Sequence, residues 1–327
     1  MIILAGDIGG TNTRLVIAER EQSNLTILAE KNYASNLYTS FEEVVSLFIA
    51  DANFNNEIDA ACFAIAGPVV SGKSKITNLP WVITEQQLED TFKLPRVKLI
   101  NDFMAVALGI SWLKDSDILV IQQGSSLKSK VQPDAAIIGA GTGLGASHRV
   151  WINDHYHILP SETGHISFAP ANEQQTQLLT WLLKTQQHVS LESILSGGGF
   201  YSVYQFLRET NQGKESITVK TEMQKTDPAK VITDYALANK DELSTKALDM
   251  FVEIYGAIAG DVALHYYPVD ELYIAGGIAP KIKNKLSSPA FLNSLTNKGL
   301  MSENLKNITV KLVLNEKIGL YGALWEL

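Results

Sequence analysis

The chain has 327 residues, 46% apolar and 19% charged, with 27 Lys plus Arg against 35 Asp plus Glu for a net charge of −8. That composition excludes a disordered or fibrous chain, and the length favours two domains over one core. An acidic chain with no run of basic residues is a poor partner for nucleic acid. Cys62 is the sole cysteine, so neither an intramolecular disulfide nor a four-cysteine zinc site can form, and within Ala61-Cys62-Phe63-Ala64 it reads as a small core residue. One reduced thiol, an N-terminus (Met1–Asp7) without a basic leader and no apolar run of about 18 residues point to a cytoplasmic protein with no membrane part.

In chain order, Ile2–Ala5, Thr13–Glu19 and Leu25–Tyr33 alternate or run apolar between polar breaks, the pattern of a three-stranded meander. Ser40-Phe41-Glu42-Glu43 is a capping box that opens a helix with Phe41, Val44, Val45 and Phe48 on one face. A buried strand at Asp59–Ala66 follows, then a helix near Glu85–Phe92, a strand at Arg96–Ile100 and a helix from Asp102 to Ile110. The second half repeats this order with insertions. Ala135–Gly139, Ala146–Trp151 and Tyr156–Leu159 form the meander, and helices are expected at Glu173–Gln187, Gly199–Thr210, Asp227–Asn239 and Glu242–Tyr266. Leu272–Ala275 and Ile308–Leu314 supply later strands, and a helix at Glu316–Glu326 ends the chain. Lys114–Asp117 and Gly124–Pro133 are the nearest things to linkers. The repeat implies two related α/β domains with a cleft between them, where small ligands usually bind.

Two phosphate-binding patterns are matched in letter only. Gly67-Pro68-Val69-Val70-Ser71-Gly72-Lys73-Ser74 fits a P-loop, but that motif needs a helix immediately afterwards, whereas Lys75-Ile76-Thr77-Asn78-Leu79-Pro80 alternates towards a proline, and Val69–Ser74 reads as one arm and the turn of a hairpin. Gly141-x-Gly143-x-x-Ala146 fits a loose dinucleotide fingerprint, yet Ala146–Trp151 looks like a strand where the fingerprint opens a helix. His155-x-His157 reads as alternate side chains of a strand in preference to a metal site.

What remains is a pair of glycine-rich turns at equivalent places, Gly6-Asp7-Ile8-Gly9-Gly10-Thr11 and Gly139-Ala140-Gly141-Thr142-Gly143. Backbone without Cβ atoms lets amides approach phosphate oxygens, and each turn adds a threonine hydroxyl. Asp7 is the natural Mg2+ partner, through water because Mg2+ dehydrates reluctantly.

The segments Leu4–Arg14, Asn101-Asp102-Phe103, Gly141–Gly145, Glu162-Thr163-Gly164-His165, Glu192–Gly197 and Ala275-Gly276-Gly277-Ile278 occur in that order. Together they resemble the bacterial glucokinase family, within the sugar kinase and actin group, from Ile2 to Trp325. The resemblance implies a ribonuclease-H-like fold in both domains, with residues 1–110 plus 315–327 as the small domain and 111–314 as the large one. It implies ATP-dependent phosphorylation of D-glucose to glucose 6-phosphate, with Asp102 as the general base on the 6-hydroxyl. Asn78, Asn101, Asp102, Glu162, His165 and Glu192 would hold the sugar. Gly6, Asp7, Ile8, Gly9, Gly10, Thr11, Gly141, Thr142 and Gly143 would hold the ATP phosphates and Mg2+, with Gly276 and Gly277 beside the adenosine. Family habit implies a homodimer.

Locally, Asp102 also has the place of a plain helix cap. Ser161 and Thr163 stand where glycine is common in the family and would add bulk near the sugar. Met104 and Gly198 depart from the pattern without removing a chemical group. The alternatives are a kinase for another hexose or an N-acetylhexosamine, and a non-catalytic actin-fold sugar- or nucleotide-binding protein. The sugar-responsive repressors of the related branch carry a Cys-rich zinc motif that one cysteine cannot build.

Overall fold

The computed structural model describes residues 1–327 apart from 23, 77, 78 and 126–131. It divides into one unit of Met1–Lys114, Ile158–Pro160 and Lys317–Leu327 and a second of Asp115–His157 and Ser161–Glu316.

The first unit is built on β1 (Ile2–Ile8), β2 (Asn12–Glu21), β3 (Asn24–Ala34) and β4 (Ala60–Ile65), with a side sheet of β5 (Val69–Val70), β6 (Lys73–Lys75) and β7 (Val82–Thr84), then β8 (Val97–Asn101). Its main sheet has the order β3-β2-β1-β4-β8. The first three strands are an antiparallel meander, and β1, β4 and β8 run parallel. Both faces are covered. Leu4, Ile8, Leu15, Ile17, Phe63 and Ile65 pack against Phe41, Val44, Val45 and Phe48 of the helix Phe41–Asp51. Ile3, Ala5, Val16, Cys62, Ala64 and Ile100 pack on the other side against Ala105, Leu320, Ala323 and Leu324. Burial pushes the Cys62 thiol well above its ordinary value, which makes it inert packing.

The capping box forms with one change. Ser40 Oγ accepts the Glu43 amide at 3.2 Å, but the Glu43 carboxylate turns back mainly to the amide and hydroxyl of Thr39, at 2.8 and 2.9 Å. The P-loop look-alike is a hairpin: Val69 and Val70 pair with Ser74 and Lys73, and Ser71 and Gly72 at φ 50° and 69° make the turn. Two consecutive positive φ angles are what a tight two-residue hairpin demands.

The second unit begins with β9 (Ile118–Gln122), a strand absent from the sequence reading because the polar Lys114–Asp117 ahead of it looks like linker. Asp115–Asp117 is a 3-10 turn, and residues 126–131 of the other expected linker lie outside the described residues. Then come β10 (Ala135–Ala140), β11 (Leu144–Ile152), β12 (His155–Ser161), β13 (Glu271–Ala275) and β14 (Thr309–Val313), with sheet order β12-β11-β10-β13-β14-β9. Strands β10, β13 and β14 are parallel and β9 closes the edge antiparallel to β14. With β9 set aside, this is the order of the first unit again, so each unit is a ribonuclease-H-like sheet. A layer of helices, among them Gly197–Glu209 and Glu242–His265, buries one face through Ile138, Leu272, Ile274, Val310 and Leu312. The dinucleotide look-alike fails here as well, since Leu144–Ile152 is strand. The helix expected over Glu173–Gln187 stops at Leu182, and the polar residues after it form turns.

Candidate functional site

Every parallel strand delivers its C-terminal end to one edge of its sheet, and the two glycine turns and Asp102 lie at such edges. In the first unit Ile8 pairs with Ile65, and Ile65 with Asn101. Strands are about 4.8 Å apart, so the end of β1 and the end of β8 lie roughly 10 Å from each other. The first glycine turn leaves β1 and the helix Asp102–Gly109 leaves β8, which brings Asp102 and the turn to one edge.

The turn is held from beneath. Gly9 donates to Asn12 O at 2.8 Å, Ser35 Oγ donates to Gly9 O at 2.9 Å, and Ser35 N donates to Thr11 O at 2.9 Å. The Thr13 and Ser35 hydroxyls are 3.0 Å apart. The carbonyls of Gly9, Thr11 and Asn12 are thereby spent, and among the described residues the amides of Gly10 and Thr11 meet no acceptor. Ser35 was missed in the sequence, where nothing marks a residue 26 positions away as the support of this turn. Gly6 belongs to the core: a Cβ there would lie 2.7 Å from Leu15 Cδ2 and 3.0 Å from Phe63 Cδ1.

Asn101, not Asp102, caps the helix. Its Oδ1 accepts the amides of Phe103 and Met104 at 2.9 and 3.1 Å, and its Nδ2 donates to Gly67 O at 3.2 Å, which leaves one amide hydrogen for another partner. Asp102 is the first helical residue and its Oδ1 accepts the Phe103 amide at 2.9 Å. It is half-buried, at the sheet edge and not in the core.

Asp7, half-buried near the end of β1, stands opposite Arg14 in the β1–β2 register. Burial raises its pKa above the usual carboxylate range, and the Arg14 charge offsets only part of this. A raised native pKa means that the folded state holds the proton more tightly than the unfolded chain does. The stabilisation it contributes is complete at low pH and is lost as pH rises through the native value. Asp7→Asn is therefore expected to raise the thermal midpoint at neutral pH, a gain that vanishes as pH falls towards the ordinary carboxylate value. Thermal melts of both proteins across that range check it.

The second unit repeats the arrangement. Gly141 donates to Gly143 O at 2.8 Å to close the turn between β10 and β11, and Gly197 N donates to Gly141 O at 2.9 Å. Ile278 N donates to Ala140 O at 3.2 Å, so the Gly276-Gly277 turn after β13 lies against the same edge. Gly276 has φ 81° and a Cβ on it would overlap Ala140 O, whereas the Cβ position of Gly277 has no neighbour within 4 Å. The amides of Thr142, Gly143, Gly198 and Gly277 meet no acceptor among the described residues. The helix capped by Ser196 begins at Gly197, two residues before the expected Gly199, and its contact with the turn was missed. The signal was present: Ser196 followed by three glycines is a cap and an open first turn.

Of the expected sugar residues, three are brought together in this unit. The segment Gly164–Phe168 runs against Val189–Glu192, with Glu192 N donating to Gly164 O, Leu191 N to Ile166 O and Phe168 N to Val189 O, each at 2.9 Å. Glu162 precedes the 3-10 turn Thr163–His165, with His165 Nε2 3.8 Å from Glu162 Oε2, and both side chains are exposed. Glu192 is half-buried, and its Oε2 accepts the Leu144 amide at 2.8 Å. Ser161 and Thr163, expected to crowd a sugar, bond to each other at 2.7 Å, and Ser161 donates to Ala146 O at 3.2 Å. Their hydroxyls therefore turn onto β11. Asn78 lies outside the described residues.

Among the described residues no three His, Cys, Asp or Glu side chains cluster to hold a metal ion. A lone carboxylate such as Asp7 suits Mg2+ that arrives mainly on phosphate and water ligands. No helix among the described residues is long and apolar enough to cross a membrane.

Two ribonuclease-H-like units, each with a glycine turn at the edge where its parallel strands end, define the actin-type ATPase fold. A solved glucokinase from an Antarctic psychrotroph has this architecture, with a TM-score of 0.79 and 30% identity, covering 99% of this chain and 97% of that one. So does a glucokinase from Balamuthia mandrillaris in complex with glucose, with a TM-score of 0.81 at 20% identity, covering 99% and 92%. A glucokinase from Nostoc sp. is 42% identical over 338 residues, 98% of this chain and 97% of that protein. The glucokinase family profile matches residues 4–327, and the chain belongs to that family of enzymes.

Proposed function

We propose that this chain transfers the γ-phosphoryl group of ATP to the 6-hydroxyl of D-glucose, forming D-glucose 6-phosphate and ADP. The observation that supports this most directly is Asp102 at the head of its helix, on the same sheet edge as a turn whose Gly10 and Thr11 amides meet no acceptor among the described residues. The Asp102 carboxylate takes the hydroxyl proton as the oxygen attacks phosphorus. Glu162, His165, Glu192 and the remaining amide hydrogen of Asn101 match sugar hydroxyls, each of which gives and receives a hydrogen bond. Asn78 joins them by family resemblance. The amides of Gly10, Thr11, Thr142 and Gly143 suit phosphate oxygens, and the open face of Gly277 suits the adenosine. When bound, Mg2+ neutralises charge on the phosphates, and Asp7 would hold it through water.

The test is ADP release with Mg2+ and ATP, comparing glucose, mannose, fructose and N-acetylglucosamine. Glucose is expected to give the highest kcat/KM. A higher value for another sugar would reassign the substrate, and no stimulation by any sugar would leave a non-catalytic nucleotide-binding protein.

A further inference from the structure

Gly143 has no conformational reason to be glycine. Its φ is not positive, unlike that of Gly67, Gly72, Gly276 and Gly299, so an L-residue can adopt its backbone. Its Cβ position is nevertheless filled: a Cβ there would lie 2.5 Å from Glu192 Oε2 and 3.2 Å from Glu192 Cδ. The same Oε2 accepts the amide of Leu144, the next residue, at 2.8 Å. Leu144 also reaches the other sugar segment, because a Cβ on Gly164, between Glu162 and His165, would overlap Leu144 O. The end of the second glycine turn is thus packed against both stretches that carry the expected sugar ligands.

We infer that the missing side chain of Gly143 serves the sugar: it makes the seat in which the Glu192 carboxylate rests on the Leu144 amide, so Gly143 and Leu144 are positioning residues for Glu192. The inference rests on the glucokinase reading of Glu192 and adds a second task to a residue placed at the ATP phosphates. The amide of Gly143 faces nucleotide chemistry, and its bare Cα faces the carboxylate. The obstacle to a methyl group is the far end of one flexible side chain, with no backbone atom among the neighbours. A substitution should therefore displace Glu192 and leave the turn in place. Displacing a charged acceptor from its donor costs about 1.5–3 kcal/mol, or roughly 10- to 150-fold in an equilibrium constant.

The experiment measures glucose binding by calorimetry without nucleotide, and steady-state KM values for both substrates, on the wild type, Gly143→Ala, Glu192→Asp and the double variant. Gly143→Ala is expected to raise the glucose Kd and KM at least about 10-fold with the ATP KM within about 3-fold, because only the sugar ligand moves. Glu192→Asp shortens the side chain by one methylene, which clears the added methyl group. In that background Gly143→Ala should cost less than about 3-fold, a non-additive cycle that general loosening of the turn would not produce. Equal glucose affinity for wild type and Gly143→Ala, a rise confined to the ATP KM, or multiplicative effects in the double variant would each overturn the inference. A wild type that binds no glucose and shows no sugar-dependent ADP release would refute the enzymatic reading itself, a different result from any of these.

Discussion

Asp102→Asn is expected to lower turnover by about 10² or more, while the glucose KM stays within a few-fold and the thermal midpoint is unchanged. The size follows from the role. An amide cannot take the hydroxyl proton during transfer, and a general base supplies roughly 10²–10⁴ in rate. The clean separation from stability follows from the geometry. Asn101 caps the helix through the Phe103 and Met104 amides, and the Oδ1 of an asparagine at position 102 can still accept the Phe103 amide. If Asp102 were only a cap, Asp102→Asn would leave both kcat and the thermal midpoint close to wild type, because asparagine caps a helix about as well as aspartate. Steady-state kinetics and a thermal melt on the same preparation discriminate the two. Turnover close to wild type would remove Asp102 from the chemistry.

The largest effect on stability should come from Gly322→Ala. The C-terminal helix Ile318–Trp325 packs on Asp102–Gly109, and the two approach through glycines on both sides. A Cβ on Gly322 would overlap Ala105 O and lie 2.6 Å from Ala105 C, and a Cβ on Gly109 would overlap Ile318 O. These neighbours are backbone, so neither can swing aside as a side chain does, and the helices must separate. Overpacking of this kind costs about 3 kcal/mol, the upper end of the usual range, which corresponds to roughly 10 °C in the thermal midpoint. Activity should fall as well, since the displaced helix carries Asp102. Tryptophan fluorescence is a suitable readout because Trp112 and Trp325 stack at 3.4 Å with their planes 5° apart. A variant that melts like the wild type would show that the two helices can part at little cost.

The features that can be read from residues alone are those whose cause lies within a few positions. The meanders, the helix Glu85–Phe92 and the strand-to-helix junction before Asp102 depend on apolar spacing, caps and glycines, and they stand within three residues of where the pattern puts them. The rejection of the P-loop look-alike rests on the alternation after Lys73, which is equally local. Strand β9 escapes notice because five apolar-leaning residues beside a polar stretch carry no period of their own, and the antiparallel partner β14 lies far along the chain.

The reasons for particular glycines and ligands come from farther away. Composition marks Gly143 as part of a turn, but that its side chain would strike Glu192 depends on a contact between segments 48 positions apart. Capping rules allow either Asn101 or Asp102 to begin the helix, and the carbonyl of Gly67 beside Asn101 accompanies the choice that the fold makes. The common edge of Asp102 and the first turn is a consequence of parallel register among β1, β4 and β8. Hydrophobic spacing and turn chemistry act over a few residues, and so they are written in the string. Register and packing sum contacts between distant segments, and only the folded chain selects among the arrangements those segments allow.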